Sequence, residues 1–331
     1  MVSIPTPATT ATNSNMITME IPNFVRVYED GTIERLQDSP FVPPTLQDPT
    51  TKVSSKDVVI SNNPPISARL YLPNLIQSQN LNLNNNHKLP ILVYFHGGGF
   101  YFGSAFSQLH QNYFNTFLSV ADILVVSVEY RLAPETPLPA AYHDCWEALK
   151  WVATNTDPWL LKHGDLERLF VGGDSAGGNI AHNIAMQAGA EALPGGVKVL
   201  GALVSHPYFF GAKPIGSEAV EGHEESVPFR TWEWIQPSEP GGLDHPLINP
   251  LGSGAAPLSG LGCRKVLVCT AEKDSLRERG VLYYEGVKKS EWEGEVELYE
   301  VEGEEHVFHV NNPGTRNALK MFKRFADFLL Q

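Results

Sequence analysis

The chain has 331 residues, of which 42% are hydrophobic and 18% charged, and its formal net charge is −13. This length and composition predict a globular protein of one large or two smaller α/β domains, and no apolar run approaches the length of a membrane-spanning helix. The acidic balance argues against nucleic acid or an anionic membrane surface as a partner, so we expect a neutral or apolar small molecule.

The N-terminus is rich in Thr, Ala, Asn and Pro and has no periodic apolar pattern, which predicts a disordered tail over residues 1–20. It lacks the basic and apolar regions of a secretory signal. The three cysteines, Cys145, Cys263 and Cys269, are too few for a disulfide framework and fit a reducing compartment. We therefore expect a cytoplasmic protein, and no sequence pattern indicates its oligomeric state.

Residues 21–50 predict a compact but irregular arm. Phe24, Val25, Val27 and Tyr28 are apolar or aromatic, Asp30 and Gly31 mark a turn, and residues 39–49 contain four prolines. We expect this arm to pack over the rest of the chain as part of a cap.

From residue 56 onward, strand and helix patterns alternate. A hairpin is predicted over 56–72, with Asn and Pro at its turn, and is followed by an exposed Asn-rich loop over 77–87. Further strands are predicted at 91–95, 123–128, 169–171, 199–204, 266–270 and 296–301, and helices at 108–120, 140–153, 180–188 and 315–330. This alternation predicts a mostly parallel central sheet that is flanked by helices. Residues 208–262, rich in Gly, Pro and aromatics, interrupt it as an insertion that would complete the cap in a domain spanning 21–331.

A glycine-rich loop, His96-Gly97-Gly98-Gly99-Phe100, directly follows the 91–95 strand. Attack on an ester creates a negatively charged oxygen, and glycines let backbone N–H groups approach that oxygen closely. We expect the amides of Gly98, Gly99 and Ala176 to form this oxyanion hole. A plain glycine turn is the alternative, and a phosphate loop would need a G-K-[ST] ending that is absent.

The sequence Gly173-Asp174-Ser175-Ala176-Gly177 lies between a buried strand and a helix. In that context G-x-S-x-G is typical of a nucleophile elbow, in which a sharp turn exposes the serine hydroxyl. By itself the pattern also occurs by chance. Its position between strand and helix favours Ser175 as the nucleophile.

An acid and a base are expected in the loops that follow the last two strands, in the order Ser, Asp or Glu, His. Asp274 is the candidate acid, with Glu272 as the nearest rival, and His306 is the candidate base, with His309 as the rival. A metal site at the two histidines would lack the H-E-x-x-H arrangement and a third ligand. We therefore expect no metal and no cofactor.

Five aromatic side chains are candidates to line a substrate pocket, although core packing explains such residues equally well. They are Phe100, Phe102, Tyr208, Phe209 and Trp232.

Taken together, these motifs resemble plant carboxylesterases of the hormone-sensitive-lipase-like group. The resemblance extends over nearly the whole chain after the tail and rests on residues 27–44, 96–100, 130–135, 138–144, 173–179 and 303–306. It implies an α/β-hydrolase fold, a cap built from the N-terminal arm and an insertion, and a triad of Ser175, Asp274 and His306. The implied activity is hydrolysis of small carboxylic esters without a cofactor.

The same group contains members with other functions. Gibberellin receptors lack the catalytic histidine, so the presence of His306 disfavours a receptor. The 2-hydroxyisoflavanone dehydratases share the patterns at 221–224 and 244–250 and remove water from a flavonoid-like substrate, and related cyclase-like enzymes do other non-hydrolytic chemistry. Dehydratases often carry Thr in place of Ser175, so the serine and the intact Gly99 favour the esterase, with a dehydratase or other lyase as the alternative.

Overall fold

The computed structural model describes residues 16–37, 39–74, 88–218, 220–236 and 240–331. The predicted Asn-rich loop over 77–87 and residues 1–15 of the predicted tail lie outside these ranges. The chain divides into two compact units, Met1–Asp38 and Ser39–Gln331, which are described separately.

The first unit contains a three-stranded antiparallel sheet, β1 (Ile17–Ile21), β2 (Val25–Tyr28) and β3 (Ile33–Arg35). The predicted tail was therefore too long, because regular structure begins at Ile17, and the arm is not irregular over this part. A short turn explains the difference, since the Thr32 N–H donates to Asp30 Oδ1 at 2.9 Å and lets β2 pair with β3. The prediction had recognised the turn but not the pairing.

The second unit is built on an eight-stranded sheet. Its strands are β4 (Ser54–Asn62), β5 (Pro65–Leu72), β6 (Leu89–Phe95), β7 (Leu124–Glu129), β8 (Gly164–Asp174), β9 (Val199–Ser205), β10 (Lys265–Ala271) and β11 (Glu295–Val301). Their order is β11-β10-β9-β8-β6-β7-β5-β4, and all pairs are parallel except β4 with β5 and β5 with β7. The predicted hairpin is the antiparallel edge, and the predicted α/β architecture is confirmed.

Helices connect the strands of this sheet. They are α1 (Gln108–Phe117), α2 (Ala140–Thr154), α3 (Pro158–His163), α4 (Ala176–Ala190), α5 (Val227–Ile235), α6 (Arg277–Lys289), α7 (Phe308–Asn311) and α8 (Arg316–Leu330). Helices α3, α5, α6 and α7 were not predicted: α3 and α7 are short, α5 lies in the segment interpreted as an insertion, and α6 is mainly polar. Within the described ranges no helix is long and apolar enough to cross a membrane.

The closing helix α8 buries one stripe of apolar side chains against the core. Among them, Phe322 and Phe325 have no exposed surface and contact Phe117 of α1 with ring centroids 5.3 and 6.0 Å apart. The helix predicted at 315–330 is confirmed. The insertion over 208–262 contains helix α5 and short 3-10 turns between β9 and β10. It therefore starts at the edge where the parallel strands end.

The turn from β8 into α4 packs directly on β6. A Cβ atom at Gly177 would lie 1.8 Å from the carbonyl oxygen of Phe95, well inside the van der Waals limit. Only glycine at this position lets the first turn of α4 lie so close to the strand. This contact fixes the position of the residues that precede Gly177, including Ser175.

We predict that Gly177→Ala lowers the free energy of unfolding by about 1–3 kcal/mol or more, because β6 cannot yield to the added methyl group. Urea denaturation measures the change. Gly314→Ala is the matched control, since no atom lies within 4 Å of the Cβ it would add. Its free energy of unfolding is expected to stay within about 0.5 kcal/mol of the wild type, and an equal loss in both variants would contradict the steric argument.

Candidate active site

Ser175 lies at the apex of the turn between β8 and α4. Its φ of 54° and ψ of −116° are sparsely populated by residues other than glycine. Two backbone hydrogen bonds to the end of β9 and the segment after it hold this conformation: the Ser175 N–H donates to the Ser205 carbonyl at 3.0 Å, and the Tyr208 N–H donates to the Ser175 carbonyl at 2.9 Å. The turn that follows β9 therefore holds the serine from both sides.

The structure brings Ser175, His306 and Asp274 into one hydrogen-bonded chain. The Nε2 atom of His306 lies 2.9 Å from Ser175 Oγ, although the two residues are 131 positions apart. The Nδ1 atom of the same ring lies 2.7 Å from Asp274 Oδ2. With the proton on Nδ1, the ring donates to the carboxylate and leaves Nε2 to accept the serine proton.

Asp274 is buried and accepts three hydrogen bonds. Besides His306, its Oδ1 atom accepts from the Leu276 N–H at 2.8 Å, and its Oδ2 atom lies 3.0 Å from His206 Nδ1. Burial by itself raises the pKa of this carboxyl, but its two histidine partners outweigh burial and hold the pKa well below its ordinary value. Asp274 is therefore ionised at neutral pH.

His306 has a pKa above its ordinary value. Burial lowers the pKa of the imidazole, but the Asp274 carboxylate and, more weakly, Asp174 outweigh it by favouring the charged ring. The side chain is 33% exposed, so part of the ring is accessible from solvent. The ring is thus a stronger base than free histidine.

The rival candidates lie outside this chain of hydrogen bonds. Glu272 is exposed, and its Oε2 atom accepts the Gly303 N–H at 2.7 Å. His309 is fully buried; its Nε2 atom lies 3.5 Å from Ser205 Oγ, and its ring stacks on His206. Burial lowers the pKa of His309 well below its ordinary value, so it stays neutral.

The glycine-rich loop lies directly against the nucleophile turn. A Cβ atom at Gly97 would lie 2.4 Å from Asp174 Oδ2, next to Ser175 in the chain. Gly98 and Gly99 have φ values of 113° and 58°, and the Gly98 carbonyl accepts two turn hydrogen bonds at 3.0 Å. In the part of the chain that the structure describes, the N–H groups of Gly98 and Gly99 have no acceptor.

Ala176 is the first residue of α4, where the N–H group has no partner inside the helix. Its position therefore leaves a third amide available beside the serine. Asp174, buried behind the loop, accepts a hydrogen bond from the Tyr94 hydroxyl, and burial raises the pKa of its carboxyl to about 6. The sequence analysis had assigned no role to this aspartate.

The five aromatic candidates fall into three groups. Phe100 contacts Tyr208 and Trp232 with ring centroids 6.1 and 6.3 Å apart, which connects the glycine-rich loop to α5 of the insertion. Phe102 is half-buried and contacts Tyr101 edge-on. Phe209 instead packs on His182 and Tyr283, so its contacts are those of a core residue.

The structure adds one residue that sequence reasoning missed. His206 hydrogen bonds to Asp274 and lies immediately after β9, at the edge of the sheet where the strands end. In the sequence, His206 could have been found as a candidate because it follows the predicted strand at 199–204. His206, Asp274 and His306 place their donor atoms within 4.8 Å of one another, a cluster that could also hold a metal ion. Both histidine Nδ1 atoms, however, lie at hydrogen-bonding distance from the same carboxylate oxygen, which fits proton transfer better than cation binding.

Comparisons with known proteins agree with this geometry. The family model for the alpha/beta hydrolase fold matches residues 92–310. The chain is 55% identical to 2-hydroxyisoflavanone dehydratase of Glycyrrhiza echinata, over 98% of this chain and 99% of that protein. It is 44% identical to probable carboxylesterase 5 of Arabidopsis thaliana, over 95% and 98%. Among solved structures, an esterase of Pyrobaculum calidifontis superposes with a TM-score of 0.66 at 30% identity, over 83% of this chain and 84% of that one.

We predict that ester turnover depends on a single base with a raised pKa. Because protonated His306 cannot accept the serine proton, kcat/KM falls as the pH drops through the pKa of this ring, at a midpoint above the ordinary value of 6.5. Asp274→Asn removes the charge that raises this pKa, so the midpoint moves to lower pH. It also removes the carboxylate that fixes the tautomer, so kcat falls by about 10⁴. Steady-state rates from pH 5 to 9 measure both effects.

Glu272→Gln is the control for this comparison, because it neutralises the neighbouring exposed carboxylate. We expect its pH midpoint to match the wild type and its kcat to change by less than about tenfold, the size of one surface hydrogen bond. Similar losses in the two variants would show that Asp274 has no special role.

Proposed function

This chain belongs to the α/β-hydrolase fold family, and we propose that it is a serine carboxylesterase that hydrolyses small carboxylic esters. The observation that carries the proposal is the hydrogen-bonded chain from Ser175 through His306 to the buried carboxylate of Asp274. The esterase neighbour among solved structures supports the same reading.

In the first half of the reaction, His306 Nε2 takes the proton of Ser175 as the hydroxyl attacks the ester carbonyl. The carbonyl oxygen becomes negative, and the amides of Gly98, Gly99 and Ala176 donate to it. Each such donor is worth about 2.7–4 kcal/mol in the transition state. Protonated His306 then gives its proton to the leaving alcohol, and an acyl group remains on Ser175.

In the second half, water repeats the attack with His306 again as the base. Asp274 keeps the imidazole in one tautomer and stabilises its charged form throughout. The raised pKa of His306 suits a base, and the lowered pKa of Asp274 suits a carboxylate that stays charged.

A second candidate is a dehydratase that acts on a flavonoid-like hydroxyketone. It is favoured by the 55% identity to a 2-hydroxyisoflavanone dehydratase over almost the full length of both chains. The same groups would serve a different step: His306 would remove a proton next to the ketone, and the glycine amides would stabilise the enolate. Protonated His306 would then return the proton to the departing hydroxyl, which leaves as water as the C–O bond breaks and the C=C bond forms. Such an elimination needs the base but not a nucleophilic serine.

We predict that Ser175→Ala lowers kcat for a short-chain aryl ester by about 10⁶, because no acyl-enzyme can form. Burst-phase and steady-state spectrophotometry measure the loss. Ser119→Ala is the matched control, since that serine is exposed and its hydroxyl donates to the Thr116 carbonyl, outside the hydrogen-bonded chain of the site.

The two candidates are separated by assaying each variant on an ester and on a 2-hydroxyisoflavanone, with loss of water followed by mass spectrometry. If Ser175→Ala keeps the wild-type ester rate, the esterase proposal is wrong. Elimination of water that survives Ser175→Ala but is lost in His306→Ala, together with no ester turnover by the wild type, would establish the dehydratase instead.

A further inference from the structure

His206 is a buried histidine that contacts the carboxylate of Asp274. Its Nδ1 atom lies 3.0 Å from Asp274 Oδ2, the same oxygen that His306 Nδ1 approaches at 2.7 Å. The side chains of His206 and Asp274 are 0% and 1% exposed. Two imidazole rings therefore share one buried carboxylate oxygen.

The rest of the His206 ring has apolar or stacked surroundings. Its Nε2 atom is buried and has no hydrogen-bond partner among the described residues. The ring stacks on His309 at 5.2 Å and meets Phe308 edge-on at 5.9 Å. Because an unsatisfied buried polar atom is costly, packing alone would favour an apolar side chain here. An imidazole, unlike an apolar side chain, can hydrogen bond to Asp274.

The backbone of His206 is held as firmly as its side chain. Its N–H donates to the Cys269 carbonyl of β10 at 2.7 Å, and the preceding carbonyl, of Ser205, accepts the Ser175 N–H. Its φ of 44° is unusual for a residue with a side chain, although His and Asn adopt this region more readily than most. This short turn thus contacts Ser175 through the Ser205 carbonyl and Asp274 through the His206 ring.

We propose that His206 is a positioning residue of the catalytic triad, whose neutral Nδ1–H group donates a second hydrogen bond to Asp274 and fixes the carboxylate against His306. The inference rests on the proposed function, because it takes His306 as the base. His206 itself does not touch the reacting atoms.

The groups around His306 determine in which direction its pKa changes when His206 is replaced. The titratable groups that face His306 are Asp274, Asp174, His206 and His309. Burial lowers the pKa of His206 although its bond to Asp274 opposes the change, so His206 stays neutral. The positive end of its N–H dipole points at the carboxylate beside His306 and disfavours the protonated form of that ring. Loss of the dipole is therefore expected to raise the pKa of His306.

The test compares two substitutions of similar size. His206→Leu removes the donor, whereas His206→Asn keeps an amide N–H near the place of Nδ1 and tolerates the positive φ. We expect His206→Leu to lower kcat about 10- to 100-fold, the effect of one hydrogen bond to a charged group, with little change in KM. We also expect its kcat/KM midpoint to move to higher pH. His206→Asn is expected to retain most of kcat and the wild-type midpoint.

His182→Leu is the matched control, since His182 is also buried but bonds to the Tyr283 hydroxyl, away from the triad. Urea denaturation measures its change in stability, and its pH midpoint is expected to stay at the wild-type value. Wild-type behaviour of His206→Leu, or equal effects of the Leu and Asn variants, would overturn the proposal.

Nitrogen NMR of histidine-labelled wild-type protein gives a second test that needs no folded Leu variant. The signal lost in His206→Asn is expected to belong to a neutral ring protonated at Nδ1, and protonation at Nε2 would overturn the proposal. His306→Ala checks the proposed function separately. If His306→Ala keeps its turnover, the assignment of His306 as the base is wrong. If His306→Ala loses its turnover while His206→Leu behaves like the wild type, only the inference about His206 is wrong.

Discussion

The buried carboxylate of Asp274 is the group on which the arrangement of the site depends. A buried charge is costly unless it is paired and hydrogen bonded, and here two imidazoles and one backbone N–H surround it. Once the carboxylate is held in this way, only one tautomer and one orientation of His306 satisfy it. The direction of Nε2 toward Ser175 follows from that orientation.

The parallel sheet explains how distant segments supply these groups. The carboxyl ends of β6, β8, β9, β10 and β11 lie at one edge, and the glycine-rich loop, the nucleophile, His206, Asp274 and His306 follow those strands in turn. Each strand contributes residues close to its carboxyl end, so these groups are spread over about 200 residues of sequence, yet gathered at one edge of the sheet.

The features that could be predicted from sequence are those with strong local signals. The central strands are continuous apolar runs, and the turn at Ser175 is flanked by glycines. Asp274 and His306 each follow a recognisable strand. These three residues could therefore be predicted as candidates for one site, and the structure brings them together. The small N-terminal sheet could not, because its pairing depends on a short turn and not on a long apolar pattern. His206 was missed for a different reason: its role arises from a contact with a residue 68 positions away. Helix α6 has no clear apolar stripe, so its pattern gave no signal.

The contact between Phe100 and the insertion has a consequence for how such proteins diversify. Phe100 follows the glycine-rich loop, and its ring meets Tyr142 of α2, Tyr208 and Trp232 of α5. The insertion and the glycine-rich loop are thus packed together through the ring of Phe100. An insertion exchanged between relatives would keep this packing only if the aromatic partners at 100 and 142 were exchanged with it. The two segments are therefore expected to change together.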